Sequence, residues 1–257
     1  TYEPIEGDAT SLTEGTIYDI ALDGDGCLWV ATARAGLDMF DPESGVFVHY
    51  INDQDEGQSI LSNTVHALYW DAENEIVWAA TAGGLSGLNK ATGEWINYTK
   101  EDGLSSDTLM GIQPGRGKTL WISSTKGINR LSLETNSIRY YFVADGLQGD
   151  QFQIASSHLA PNGEIFFGGS NGVTYFIPEQ LEQNQYLPDV VFTEFILNNQ
   201  SVPIGGDVLP QPIEKTKSIT LDYEDNVFSI KFAALNYQLS EKNQYQYKLE
   251  GFDDEWS

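Results

Sequence analysis

Cysteine is almost absent from this chain of 257 residues. Its only cysteine is Cys27, so no internal disulfide can form, and cysteine usage does not indicate the redox compartment. Free cysteine is among the residues most often found inside proteins, so we expect Cys27 to lie on the anchored strand of the first repeat as a buried, inert thiol.

Basic residues are also scarce. The chain has 13 Lys and Arg against 38 Asp and Glu, which gives a net charge of −25. Such a surface repels phosphate backbones and anionic lipid head groups, so nucleic acid is excluded as a partner. No run approaches the roughly 18 apolar residues of a membrane span, and no signal peptide opens the chain at Thr1. We therefore expect no membrane insertion by this chain.

Metal-ligand patterns are missing as well. His49, His66 and His158 show no ligand spacing and are interpreted as strand residues. Asp23 and Asp25 resemble the opening of a calcium loop, but the twelfth position holds an arginine where such loops need a bidentate glutamate. We interpret this segment as a hairpin turn and expect neither metal nor cofactor.

Two short motifs suggest enzymes, but neither has the required context. GGSNG at 168–172 satisfies G-x-S-x-G, but an apolar strand follows where the hydrolase elbow needs a helix. GRGKT at 115–119 lacks the spacing of a phosphate loop and also precedes a strand. Both are interpreted as turn composition, so no catalytic residue is predicted.

What the chain does contain is a fourfold repeat. Its copies read LWVATARAGLDMF from Leu28, VWAATAGGLSGL from Val77, LWISSTKGINRL from Leu120 and IFFGGSNGVTYF from Ile165. The aromatic anchors Trp29, Trp78, Trp121 and Phe166 are about 43 to 49 residues apart. A period of this length built from short strands is typical of β-propeller blades.

The repeat extends to both sides of each anchor. An alternating strand and a polar turn precede it, and a further turn and strand follow it, although the last copy has no clear fourth strand. The linkers SLTEGT, SILSNT, GLSSDT and GLQGDQ resemble one another. One blade cannot bury both of its faces, so we expect the three tryptophans to pack between neighbouring blades.

These residues resemble the regulator propeller repeat of hybrid two-component sensors. Matching positions are the repeat's glycine at Gly36, Gly84, Gly127 and Gly172, and its turn at Asp41, Pro42, Ser44 and Gly45. The C-terminal segments PDVVFTEFILNNQ, ITLDYEDNVFSIKFAALNY and EKNQYQYKLEGFDDEW are similar to the triple-tyrosine (Y_Y_Y) domain that follows the propeller in these sensors. By this resemblance, Tyr223, Tyr245 and Tyr247 belong to the tyrosine set.

The predicted fold is all-β. Residues 1–187 form a partial β-propeller with about four of the seven blades usual in this family. Residues 188–257 form the N-terminal part of a Y_Y_Y immunoglobulin-like β-sandwich, with about four strands at 190–197, 219–223, 228–232 and 245–249. Both ends look cut, so we expect a piece of a longer protein whose exposed blade faces and sheet edges favour self-association.

Ligand candidates lie in the loops after the second strand of each blade. Arg34, Lys126 and Asn171 differ from copy to copy on the face that these loops share with the linkers, so we select them as candidate ligand-binding residues. Among the aromatic residues outside the repeat, Tyr69, Trp70 and Trp95 are further candidates, although such residues more often pack in the core.

The resemblance implies the periplasmic, signal-sensing region of an inner-membrane hybrid histidine kinase that acts as a dimer. Its ligand would be a small molecule or an oligosaccharide, and the catalytic kinase would lie elsewhere in the parent protein. The alternative is a secreted propeller enzyme or carbohydrate-binding protein that acts on polysaccharide. An enzyme would need acid, base or metal groups at the central channel, and none occurs at recognisable spacing.

Overall fold

The computed structural model describes residues 1–13, 15–53, 58–181, 189–225, 227–234 and 245–253. The chain divides into two compact units, Thr1–Glu182 and Gln183–Ser257. Regular structure in both units consists of antiparallel strands and a few single turns of 3-10 helix. The all-β prediction is confirmed.

Unit 1 contains four antiparallel sheets, each with its strands in chain order. Sheet 1 comprises β1 (Ile17–Leu22), β2 (Leu28–Thr32), β3 (Leu37–Asp41) and β4 (Val46–Tyr50). Sheet 2 comprises β5 (Val65–Asp71), β6 (Ile76–Thr81), β7 (Leu85–Asn89) and β8 (Trp95–Tyr98). Sheet 3 comprises β9 (Leu109–Gly115), β10 (Thr119–Ser124), β11 (Gly127–Ser132) and β12 (Ser137–Tyr141). Sheet 4 comprises β13 (Phe152–Leu159), β14 (Ile165–Gly169) and β15 (Gly172–Phe176).

The four sheets are the predicted blades of a partial propeller. Sheet 4 has three strands within the described residues, as its weaker sequence pattern indicated. The first strands of neighbouring sheets contact one another, and β13 also approaches β1 and β5, so the four first strands surround a common axis. Single 3-10 turns occur at Lys100–Asp102, Val143–Asp145 and Pro178–Gln180.

The anchor tryptophans lie between the sheets. Trp29, Trp78 and Trp121 are 0%, 1% and 2% exposed, and each joins a core shared with the next sheet. Burying such a ring removes 150–250 Å² from water, so these three contacts carry much of the free energy that holds neighbouring blades together. The predicted packing of the three tryptophans is confirmed. Phe166, at the equivalent position in sheet 4, is half-buried and stacks on Tyr175 at 5.7 Å.

A tyrosine at the end of each fourth strand accompanies the tryptophan. Tyr50, Tyr98 and Tyr141 place their rings 5.5 to 6.3 Å from those of Trp29, Trp78 and Trp121, at tilts of 31° to 34°. Their carbonyl oxygens lie where a Cβ on Gly36, Gly84 or Gly127 would stand, and these glycines have φ of +89°, +138° and +93°. Each glycine therefore lets the fourth strand approach the loop that precedes the third strand.

Each linker is fixed by one buried side chain on the third strand of the blade it enters. The acceptors are Asp38 for the backbone N–H of Thr13, Ser86 for Leu61, Asn129 for Ser105 and Thr174 for Gln148. The donor–acceptor distances are 2.8 to 3.1 Å. Because the four acceptors differ chemically, the sequence repeat does not reveal this contact.

Unit 2 contains one antiparallel sheet in the order β17-β16-β18. Its strands are β16 (Val190–Leu197), β17 (Gln200–Ser201) and β18 (Phe228–Ala234), with a 3-10 turn at Ile213–Lys215. Phe195, Leu209 and Ile213 form its small core. The described residues of this unit show one sheet, so the two-sheet sandwich stays a prediction. The predicted domain boundary at residue 188 lies outside the described residues and also stays a prediction.

Two of the predicted strands of unit 2 are wrong. Residues 219–223 and 245–249 are not in strands, and they pair with no strand among the residues that the structure describes. Ile219 and Leu221 pack on the core as the alternation requires, but a buried apolar face does not by itself provide a neighbouring strand. Tyr223 is 99% exposed. Tyr245 contacts the ring of Phe232 at 5.1 Å, and its hydroxyl accepts a hydrogen bond from the backbone N–H of Ala234.

We predict that Gly127→Ala destabilises unit 1 more than Gly172→Ala does. Both glycines have positive φ, +93° and +128°, but a Cβ at 127 meets the Tyr141 carbonyl and one at 172 meets open space. A non-glycine residue in this conformation costs about 1–3 kcal/mol, and the steric contact should add about 1 kcal/mol or more at position 127. Urea unfolding of both variants measures the difference. Equal losses would contradict the role given to the Tyr141 carbonyl.

Candidate functional site

The loops between the second and third strands share one face of unit 1 with the linkers. In each sheet a loop N–H donates to a carbonyl just before the first strand, in the pairs Ala33 to Thr16, Ala82 to Thr64, Thr125 to Thr108 and Ser170 to Gln151. We call this surface the loop face and define it by loops 33–36, 82–84, 125–127 and 170–172 and the linker ends 16, 62–64, 106–108 and 149–151. The predicted sharing of one face by loops and linkers is confirmed.

The three candidate ligand-binding residues lie on the loop face, in different loops. Arg34, Lys126 and Asn171 are exposed on sheets 1, 3 and 4. Their loops are fixed by local hydrogen bonds: the Lys126 N–H donates to Ser124 Oγ at 3.0 Å, and the Asn171 N–H donates to Gln148 Oε1 at 2.8 Å. Three polar side chains are therefore carried on well-anchored loops around one axis.

Beside the loop face, the first strand of every sheet contains a β-bulge, which the sequence did not indicate. The register skips Tyr18 in β1, His66 in β5 and Met110 in β9, and it skips a longer segment between Phe152 and Ser157 in β13. A bulge bends its strand and redirects a side chain, and bulges are common next to binding sites. In sheets 1, 2 and 4 the bulges carry an aromatic ring, an imidazole and polar groups, whereas Met110 in sheet 3 packs against the core between sheets 3 and 4.

Two bulge residues from neighbouring sheets contact each other. The Tyr18 and His66 rings have centroids 5.8 Å apart. His66 Nδ1 lies 2.6 Å from the Leu109 carbonyl oxygen, so it donates there, and in the neutral ring Nε2 is then an acceptor. In sheet 4, Gln153 Nε2 donates to Ser170 Oγ on the loop face at 3.2 Å. The three histidines lie in strands, as predicted.

Asp19 links the first two sheets beside the axis. Its Oδ2 accepts from the Leu68 backbone N–H at 2.8 Å. Burial raises the pKa of this carboxyl, and its two backbone hydrogen bonds offset part of that rise. The contact fixes β1 against β5 at the level of the bulges, so this part of the site is rigid.

A lysine from the next blade contacts the turn that resembles a calcium loop. Lys90 Nζ lies 2.6 Å from Asp23 Oδ2 and 2.7 Å from Asp25 Oδ2. The buried Asp23 carboxylate also accepts from the Trp29 indole N–H at 3.1 Å and from the Cys27 backbone N–H at 2.9 Å. The carboxylates therefore already have a cationic partner, and the segment is the predicted hairpin turn.

Cys27 differs from its prediction. It precedes β2 in this turn and is half-buried, because the Asp23 carboxylate holds its backbone at the turn and away from the core side of the strand. Burial raises the pKa of its thiol, and the charge of Asp23 raises it further.

The remaining sequence candidates take part in packing. Trp70 and Trp95 lie against the core between sheets 1 and 2, and Tyr69 lies against the core between sheets 2 and 3. Ser170 stands in a loop between two strands, without the helix that a nucleophile elbow needs. Within the described residues, no group of three or more His, Cys, Asp or Glu is placed to hold a metal ion.

Comparison with known proteins gives a match to a family model in the first blade. Residues 11–34 match the two component regulator propeller. Histidine kinase P4 of Formosa agariphila is 28% identical over 295 residues, which cover 95% of this chain and 22% of the relative. The chain thus spans about a fifth of the length of this curated relative. These matches confirm the resemblance to two-component sensors that the repeats indicated.

Solved structures share the fold. The extracellular domain of a hybrid two component system from B. thetaiotaomicron superimposes with a TM-score of 0.69 at 23% identity, covering 99% of this chain and 34% of the other. Virginiamycin B lyase from Staphylococcus aureus reaches a TM-score of 0.50 at 15% identity, over 74% of this chain and 62% of the lyase. Sensors and an enzyme therefore use this architecture, so the fold alone does not assign the function. No helix among the described residues is long and apolar enough to span a membrane.

We predict that Lys90→Met lowers the free energy of unfolding by about 1–3 kcal/mol near pH 7, because a buried carboxylate loses its cation. Burial alone would raise the pKa of Asp23, but the hydrogen bonds from Lys90, Cys27, Trp29 and Asp25 lower it overall. A lowered folded-state pKa adds stability above the unfolded value, near 4, and this stability is lost as pH falls through the folded pKa.

The difference between wild type and Lys90→Met should therefore shrink below about pH 4. Urea unfolding from pH 3 to pH 7 measures it. Lys118→Met is the control, since Lys118 makes a 3.7 Å pair with Glu73 in which both side chains are largely exposed. A loss that is independent of pH would show that Lys90 acts through its aliphatic stem and not through Asp23.

Proposed function

We propose that this chain is part of the extracytoplasmic signal-sensing region of a hybrid two-component histidine kinase. It binds an oligosaccharide or a related small nutrient in the periplasm, and the parent receptor, anchored in the inner membrane, transmits the signal to a cytoplasmic kinase. The observation that carries the proposal is the match of 95% of the chain to a histidine kinase, with the regulator propeller model in the first blade.

The geometry is suited to binding rather than to turnover. The loop face carries exposed polar side chains on anchored loops, and the bulge residue Tyr18 adds an exposed aromatic ring that lies against the buried imidazole of His66. A mixture of aromatic surface and hydrogen-bonding groups is what a sugar requires. Acid–base catalysis would need two convergent carboxyl groups or a metal. The two acids of the loop face, Asp107 and Asp150, accept hydrogen bonds from the backbone N–H groups of Lys100 and Val143 and so help to fix the linkers.

A ligand on this face can signal only if it prefers one arrangement of paired receptors. The loops that carry Arg34, Lys126 and Asn171 belong to sheets 1, 3 and 4, so one ligand that contacts all of them would fix the relative positions of separate blades. Such a ligand stabilises the arrangement that it binds, and this differential affinity is the free energy available for signalling.

We predict that a cognate oligosaccharide raises the melting temperature of the chain by several degrees at about 100 times its Kd, since such saturation adds about 2.7 kcal/mol. Arg34→Gln, Lys126→Gln and Asn171→Ala should each weaken the shift. Lys118→Gln lies in the turn between β9 and β10, at the end of these strands away from the loop face, and should leave the thermal shift unchanged. Thermal shift against a panel of oligosaccharides is the measurement. Bond cleavage in the same panel would instead support a propeller enzyme.

We also propose that copies of this chain associate. Apolar side chains are exposed at both ends of the series of sheets: Ile20 and Leu22 on sheet 1 are 59% and 65% exposed, and Val173 and Tyr175 on sheet 4 are 60% and 65% exposed. At roughly 25 cal/mol per Å², covering a few hundred Å² of such surface contributes several kcal/mol before the entropic cost of association.

For this association we expect the sedimentation coefficient to rise with concentration. The rise should be stronger at high salt, because the charge of −25 opposes contact and salt screens it. Tyr175→Lys should weaken association, and Tyr223→Lys, at a fully exposed position in unit 2, is the control. A monomer at every concentration and salt level would contradict the proposal.

A further inference from the structure

Two arginines face each other on neighbouring strands of sheet 3. Arg130 in β11 and Arg139 in β12 are direct cross-strand partners, and Arg130 is in turn the partner of Trp121 in β10. Like charges directly opposite each other destabilise a sheet. The pair is also unexpected in a chain with 13 basic and 38 acidic residues.

The other blades show what packing alone selects at these two positions. In sheet 1 the cross-strand partner of the tryptophan is Met39 on the third strand, and Met39 in turn pairs with Val48 on the fourth. The corresponding residues in sheet 2 are Gly87 and Ile96. Neither sheet places a charge there. Sheet 3 thus departs from its own repeat where an uncharged pair would satisfy the fold, and such departures are expected at functional positions.

Neither arginine has an acidic partner among the described residues. No hydrogen bond or ion pair involves the guanidinium of Arg130 or of Arg139 within that part of the chain. Each lies instead over an aromatic ring, Arg130 over Trp121 at 5.9 Å and Arg139 over Tyr141 at 5.5 Å. A guanidinium over an aromatic ring gains a cation–π interaction and still has N–H groups that can donate to oxygen atoms.

We propose that Arg130 and Arg139 form a binding site for the carboxylate or sulfate group of an acidic oligosaccharide. The inference rests on the proposed sensing function and narrows its ligand class. An oxyanion between the two guanidiniums accepts charge-assisted hydrogen bonds from both and removes their mutual repulsion. The overall charge of −25 does not prevent this, because salt screens distant carboxylates over about 8 Å while the two arginines act at contact distance.

The repeat itself supplies the test variant. Arg130→Met with Arg139→Val reproduces the pair of sheet 1, so the blade keeps residues that this repeat already packs at these positions. Arg116→Gln with Lys118→Gln is the matched control, because it removes the same charge from the turn between β9 and β10 of the same sheet. Arg130→Lys is a third variant, which keeps the charge but loses the planar fork.

The measurement is calorimetric titration of each 257-residue protein with chondroitin sulfate oligosaccharides, oligogalacturonates, maltohexaose and inorganic sulfate. We expect the affinity for the preferred acidic sugar to fall at least about 10-fold in the Met/Val variant and less in Arg130→Lys, and to change little in the control. The melting temperature of the ligand-free Met/Val variant should be unchanged or higher at low salt, because the like-charge pair is gone.

Three results would overturn the site. They are equal loss in the Met/Val and control variants, no loss in either, and tight binding of maltohexaose with no binding of either acidic sugar. The last result would leave the sensing function intact and refute only this site. If no sugar of a broader panel binds, the result contradicts the proposed sensing function itself. Sulfate binding that is lost in the Met/Val variant supports the site, and sulfate binding that is equal in all variants counts against it.

Discussion

The structure of unit 1 depends on the burial of one tryptophan between each pair of adjacent sheets. A four-stranded sheet has two faces, and a single blade can cover neither of them. Trp29, Trp78 and Trp121 are almost fully buried against the next sheet, so each blade completes the core of its neighbour. Phe166 has no sheet beyond it among the described residues, and its neighbour Tyr175 is correspondingly 65% exposed. The same residue position is therefore fully buried in three sheets and half-buried in the fourth.

Hydrogen bonds to buried side chains then fix the position of each linker along its blade, which apolar packing alone would not specify. Hydrophobic contacts are not directional, whereas a buried backbone N–H without a partner costs about 1–3 kcal/mol. Each linker donates one partly buried backbone N–H to a buried side chain, which is Asp38, Ser86, Asn129 or Thr174. Sliding a linker by one residue would lose this bond, so the side chain on the third strand determines where the first strand of that blade begins.

The sequence predicts the parts of this fold that require a particular residue type. The indole ring and the left-handed glycine are chemically specific, so the anchors and Gly36, Gly84 and Gly127 recur visibly. Any side-chain oxygen can accept a linker N–H, so that contact repeats without repeating a residue. The bulges at Tyr18, His66 and Met110 are a property of register, and the sequence pattern shows no sign of them. In unit 2, the alternation at residues 219–223 correctly indicated that Ile219 and Leu221 pack on the core, but it was wrong for Tyr223 and for the strand, because a strand also needs a partner.

Within one blade, positions that packing determines differ from positions that it leaves open. Where packing determines the residue, the copies agree in character, as they do at the tryptophan. Arg34, Lys126 and Asn171 differ among loops of similar geometry, so the fold does not dictate them, but exposed loops vary freely and this difference alone is weak evidence. Arg130 and Arg139 differ in kind, because the repeat uses uncharged residues at these positions in two sheets and sheet 3 places two like charges directly opposite each other. A residue that opposes the local energetics of its own repeat is expected at a functional position, and a bound oxyanion would give these two arginines a partner of the right charge.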